Sequence, residues 1–199
     1  DGNGLRSVLL DRPLDFAAVT DHAENFGEVS LCITPRSSGY DTDVCRAFRG
    51  ESSYGILPQK MSPMMAMKLN TRSDELCGAD GSDCRESALD VWATTGQAAE
   101  DYYDRSDDCS FTTFHAYEYT WAPNINRVHR NVIFRNEVVP ELPVSAVDET
   151  QPEGLWKRLK ELCLDTAGDC DALAITHKPK HSCGMMFPPS NPAYQLEAR

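Results

Sequence analysis

The sequence has no run approaching the roughly 18–20 consecutive apolar residues of a membrane-spanning helix. Its richest stretch, residues 61–69, is broken by Ser62, Pro63 and Lys68. The chain therefore reads as soluble, with no membrane insertion. Positive charge is also scarce: 19 Lys plus Arg face 31 Asp plus Glu, for a net charge of −12. Such a field repels nucleic acid and anionic lipid, so nucleic-acid binding is not expected. No CxxC pair occurs and no two cysteines lie closer than seven positions, which argues against a treble-clef or ribbon zinc site. A GxSxG elbow, a papain-like cysteine motif and a phosphate-cradling GxxxxGKS/T loop are all missing, so neither a covalent nucleophile nor a nucleotide cradle is indicated. The chain opens at Asp1 with no initiator methionine and no charged, apolar leader, and is read as a mature form or, better, an interior fragment.

What is present is globular. Apolar residues make up 41% and charged residues 25% of 199 positions, with twelve Gly and twelve Pro, which sets aside disorder, collagen and coiled coil. That length suits one domain or a large part of one. Eight cysteines are an even and high number for a cytosolic enzyme of this size. Cys77 with Cys84, and Cys163 with Cys170, enclose six-residue turns rich in Gly and Asp, and Cys32 with Cys45 would close a third loop. Cys109 and Cys183 either pair over long range or stay free. Bridges of this kind imply an oxidising compartment, periplasmic or secreted.

Residues 14–20 form a short apolar run suited to a strand, ending in Asp21-His22. Residues 30–70 lack a period and read as a long loop insertion held by Cys32 and Cys45. Residues 83–104 read as a helix with Leu89, Trp92, Ala93, Ala99 and Tyr103 on one face. Residues 111–120 are a strong strand by aromatic and Thr content, 128–134 another, and 172–176 the last, running into His177. Between them, Leu155, Leu159 and Leu162 mark an amphipathic helix over 153–163. The order suggests an α/β architecture.

His22, His129 and His177 lie on or beside three apolar strands and Glu118 on a fourth. Convergence of imidazoles and a carboxylate from separate elements is what a divalent metal requires. His115 alternates away from Glu118 and reads as structural. The segments Phe16-Ala17-Ala18-Val19-Thr20-Asp21-His22-Ala23-Glu24, Phe114-His115-Ala116-Tyr117-Glu118-Tyr119-Thr120, His129-Arg130-Asn131-Val132-Ile133-Phe134-Arg135 and Ile175-Thr176-His177 closely resemble successive motifs of the family called domain of unknown function 3604. That family resembles a branch of the PHP (polymerase and histidinol phosphatase) superfamily. The resemblance implies a partial, distorted (β/α)7 TIM-like barrel with a long disulfide-held excursion, forming one domain over 1–199 that is incomplete at both ends. It implies two or three divalent cations (zinc, manganese or iron), with His22, Glu118, His129 and His177 as ligands and Glu118 bridging two of them. Asp21 would be a neighbouring or alternative ligand with a catalytic role, and Glu24 an outer carboxylate or merely the acidic residue of a helix's first turn. The His-x-His and Asp-x-His pairs of PHP sites are missing, and Lys178 stands where the family usually has Asn.

Arg130 is a candidate for gripping an anionic group near the metals, with Asn131, Lys178 and His181 as further substrate contacts. The expected activity is hydrolysis of a phosphoester on a small anionic substrate by a metal-bound hydroxide, with sulfate-ester or amide hydrolysis as the alternative. A reading of another class is a disulfide-stabilised extracellular binding or structural domain whose histidines are incidental. Protein partners are not legible.

Overall fold

The computed structural model describes residues 10–51, 72–123 and 126–187. Strand β1 (Phe16–Ala18) runs parallel to β2 (Thr112–Phe114), pairing Phe16 with Thr112 and Ala18 with Phe114. Past a break at His115 the chain resumes as β3 (Ala116–Trp121), which pairs antiparallel with β4 (Val128–Phe134); β4 in turn pairs antiparallel with β5 (Ala172–His177). An isolated parallel bridge between His22 and Glu118 prolongs the β1 line alongside β3. The architecture is thus mixed helix and sheet, as expected. The barrel is not seen: β3, β4 and β5 form an antiparallel meander, and no sheet is closed among the described residues. Strand runs in a sequence carry no direction, and direction is decided by non-local pairing.

The meander has two chemically different faces because side chains alternate along a strand. Tyr117, Tyr119, Val132 and Phe134 join Phe26, Trp92, Leu155 and Leu159 in the main core. Glu118, Thr120, His129, Asn131 and His177 fall on the opposite face, with Glu118 registered on Asn131 and His129 registered on both Thr120 and His177.

Helix α1 (Phe26–Ile33) follows a 3-10 turn at Ala23–Asn25, so a helix begins inside the approach to the expected loop insertion. A second helix, α2 (Asp43–Phe48), is capped by the Thr42 hydroxyl, which accepts from the Cys45 amide. Leu31, Cys32, Val44 and Cys45 pack with Leu76, Cys77 and Cys84 into a second, smaller core, which is why the end of α1 and all of α2 form within a stretch of weak period. The rest of the expected insertion, 52–70, lies outside the described residues. After the one-turn helix α3 (Asp74–Cys77) comes α4 (Ser82–Tyr102), close to the expected helix but with its buried face on Cys84, Ala88 and Trp92; Ala93 is exposed. Gly27 lets α1 lie on α4: a Cβ there would run into the Cys84 carbonyl oxygen.

Helix α5 (Pro152–Leu159) buries Leu155 and Leu159 as expected, but Leu162 is not on that face. A π turn over Lys160–Leu164 inserts an extra residue and brings Cys163 inward instead. Three disulfides join Cys32 to Cys45, Cys77 to Cys84 and Cys163 to Cys170, while Cys109 and Cys183 are free and exposed. The bridges fit an extracellular or secreted setting. Among the described residues no helix is long and apolar enough to cross a membrane.

Candidate metal centre

The β1 line delivers His22 beside β3 because the Glu118 amide donates to the Asp21 carbonyl at 2.8 Å. Cross-strand register then places His129 and His177 on the same face. Glu118 Oε1 stands at the convergence: it contacts His129 Nδ1, lies 3.2 Å from His177 Nε2 and 3.6 Å from His22 Nδ1. The imidazole centroids are 5.7 Å apart for His22 and His129 and 5.2 Å for His129 and His177. Glu118 is 5% and His129 2% exposed, so the cluster is sunk into the sheet face.

Burial pushes the Glu118 carboxyl up, but hydrogen bonding to His129 and the positive potential of the three histidines outweigh it and hold the group at about 2. His22 is shifted the other way: the Glu24 carboxylate, followed by Glu118, raises it against its own burial and the charge of Lys178. The cluster thus keeps an ionised carboxylate among imidazoles.

One residue of this centre, Thr120, carries no signal in sequence spacing, and a second, Glu24, shows there only as an outer carboxylate or a first-turn acid. Thr120 Oγ1 lies 2.8 Å from His22 Nδ1 and 2.9 Å from His129 Nδ1, and donates to Glu118 Oε1 at 3.2 Å. With its proton on Glu118, the hydroxyl turns its lone pairs to both rings, so each ring presents Nδ1–H to it in the metal-free chain. Glu24 is 3% exposed, and its Oε1 accepts from the Thr120 amide at 2.8 Å and the Ala146 amide at 3.1 Å. It is a structural partner of β3 and more than an ordinary first-turn acid.

The other expected site residues divide. Asn131 shares the Glu118 face. Lys178 is exposed immediately beyond His177, in a left-handed conformation (φ 52°) that opens a 3-10 turn at Pro179–His181, and His181 is exposed, with its carbonyl taking the Arg127 amide. Asp21 contributes its backbone carbonyl to the site while the residue itself is exposed. Arg130 does not line the site. It alternates to the core side of β4, fully buried, where its guanidinium reaches the Met186 sulfur at 3.3 Å and lies over Trp156 at 5.2 Å. His115 is structural, as expected: it stacks on Trp92 at 3.6 Å and meets Thr95 Oγ1 at 3.1 Å, in space that a Cβ on Gly96 would occupy, and burial lowers it to about 4.

The donor chemistry fits a divalent cation. Imidazole nitrogens with a carboxylate suit zinc, manganese or iron. Glu24 Oε2, Asn131 Oδ1 and His177 Nε2 are buried without a hydrogen-bond partner, and all three belong to this neighbourhood. Buried polar atoms are ordinarily satisfied by protein or by ordered water, so these three have bonding capacity left for a water or an ion. His22, Glu118 and His129 present ligand atoms mutually within 4.8 Å.

The family whose description reads "Protein of unknown function (DUF3604)" matches residues 2–197. The chain belongs to the DUF3604 family. No curated protein and no solved structure matches it. In this DUF3604 chain a second group, Glu28 with Cys77 and Cys84, also meets the spacing for a metal, but its cysteines are spent in a disulfide and offer no thiolate.

Proposed function

We propose that this chain carries the metal centre of a divalent-metal-dependent hydrolase acting on a small anionic ester, with phosphoesters first in order. The observation that carries the reading is the approach of three imidazoles, delivered by the β1 line, β4 and β5, to one buried Glu118 oxygen. His22, Glu118 and His129 would hold the cation, with His177 reaching the same Glu118 oxygen from β5. The resemblance of the motif order to PHP proteins supports two or three such ions, and the disulfides support work in an extracellular or periplasmic space. When bound, a divalent cation lowers the pKa of water and neutralises charge on the group being transferred.

The chain's own residues have separable roles. Thr120 orients His22 and His129. Lys178, just past His177 and close enough for its charge to act on His22, meets an incoming anion. The Asn131 side-chain oxygen, orphaned on the Glu118 face, is available to a substrate hydroxyl or an ordered water. Arg130 is left out of the chemistry and holds β4 to the Met186 segment.

Zinc and manganese titrations of the metal-free protein, followed by metal analysis, test this reading. The parent should retain stoichiometric metal through gel filtration, and Glu118→Ala and His129→Ala should lose it. Equal retention by the parent and both variants, or no retention by the parent, would overturn the assignment. 4-Nitrophenyl phosphate and 4-nitrophenyl sulfate then rank the ester classes.

A further inference from the structure

Glu24 has one oxygen more than its structural duty needs. Its Oε1 alone satisfies two buried amides, Thr120 N at 2.8 Å and Ala146 N at 3.1 Å, from segments 96 and 122 residues away. A neutral amide oxygen would serve as well. The second oxygen, Oε2, is buried without a hydrogen-bond partner and lies 3.8 Å from His22 Nδ1. Among the described residues, His22 is the one ion-pair partner the structure gives this carboxylate. Keeping a charged group 3% exposed is costly unless the charge is used.

We propose that Glu24 is a positioning residue, whose free oxygen turns the His22 ring toward Glu118 and raises the affinity of the centre for its cation. This rests on the metal-centre reading above. The arrangement is an ion pair at 3.8 Å, longer than a hydrogen bond, in which the acid favours one orientation of the ring and a proton on the nitrogen that faces it. Thr120 takes part in the same positioning, because the carboxylate holds the Thr120 backbone through Oε1 and the Thr120 hydroxyl contacts His22 Nδ1 at 2.8 Å. One buried side chain therefore sets the ring directly and also sets the residue that contacts it.

The test uses Glu24→Gln, which retains the shape and the acceptor for the two amides but puts an NH2 group where Oε2 faces His22. In the metal-free protein, imidazole 15N–1H correlation spectra report which ring nitrogen of His22 is protonated. Competition with a chromophoric chelator reports zinc affinity. The expected result is an unchanged melting temperature, a His22 proton moved from Nδ1 toward Nε2, and zinc binding weaker by about 10- to 100-fold. An unchanged His22 tautomer together with parental zinc affinity would overturn the proposal. If the parent itself binds no zinc while Glu24→Gln still moves the His22 proton, the orienting role stands and the metal-centre reading falls. Should Glu24→Gln melt early, His22→Ala decides: in that background the Gln substitution should cost no further zinc affinity, and an undiminished loss would show that Glu24 acts through the fold and not through His22.

Discussion

Glu28 and Glu118 are both buried carboxylates, 2% and 5% exposed, and each sits among residue types that bind metals. Their surroundings differ in what is left over. Glu28 faces the Cys77–Cys84 disulfide and receives Arg72 at 3.1 Å, so its neighbours are covalently spent and its charge is answered by a guanidinium. Glu118 faces three imidazoles, with orphaned atoms of His177, Asn131 and Glu24 in the same neighbourhood. Burial raises the Glu28 carboxyl against the pull of Arg72, whereas three histidines hold Glu118 at about 2 in spite of burial. Residue types and proximity alone would class the two together. Satisfaction of each polar atom separates a closed structural cluster from one with bonding capacity left over.

The largest difference should appear on adding zinc. Ligand binding to the native state stabilises it by about 4 kcal/mol at a thousandfold excess over Kd. Excess zinc should therefore raise the melting temperature of the parent and of Glu28→Gln by similar amounts, each measured against its own metal-free form, and leave Glu118→Gln nearly unmoved. A zinc response lost in Glu28→Gln and retained in Glu118→Gln would exchange the roles of the two clusters.

A smaller effect should separate them in the other direction. Replacing Cys77 and Cys84 together by Ser removes a buried bridge and should lower stability by roughly 2–4 kcal/mol in urea unfolding, because the unfolded chain regains the freedom that the link removed. Zinc affinity should remain parental. A Ser pair that unfolds like the parent would mean that the small core around Leu31, Val44 and Leu76 holds without its bridge.

The sequence made different parts of this contrast legible. Two of the three disulfides followed from short Gly- and Asp-rich turns that bring their flanking cysteines together, and the third from the longer loop that Cys32 and Cys45 close. His129, His177 and Glu118 stood out because strand ends carrying imidazole and carboxylate are chemically conspicuous, and period two correctly turned His115 away. The same alternation, carried one step along β4, also turns Arg130 from the face of His129; charge and proximity in sequence pointed the wrong way. The antiparallel meander was illegible because each strand looks the same in either direction. The shift from Leu162 to Cys163 followed from a π turn, which no helical period anticipates. Thr120 was hidden, and Glu24 showed only as an outer carboxylate or a first-turn acid, for a further reason: a hydroxyl between two rings and a carboxylate spanning 122 residues to Ala146 acquire their roles only after folding.

Acid titration of the metal-free protein should give the smallest effect, since the two carboxylates act against each other in the parent. Glu118 is held near 2, below its unfolded value of 4.5, so its contribution to stability is complete above about pH 4.5 and fades as pH falls toward 2. Glu28 lies above its unfolded value, so the native state takes up its proton first, and acidification through that range favours folding. Urea unfolding between pH 3 and 7 should then separate them. Glu118→Gln should flatten the loss of stability in acid, and Glu28→Gln should steepen it by removing the opposing gain. Two variants that follow the parent curve alike would mean that neither carboxylate differs between the folded and unfolded chain, and the contrast between the clusters would have to rest on zinc alone.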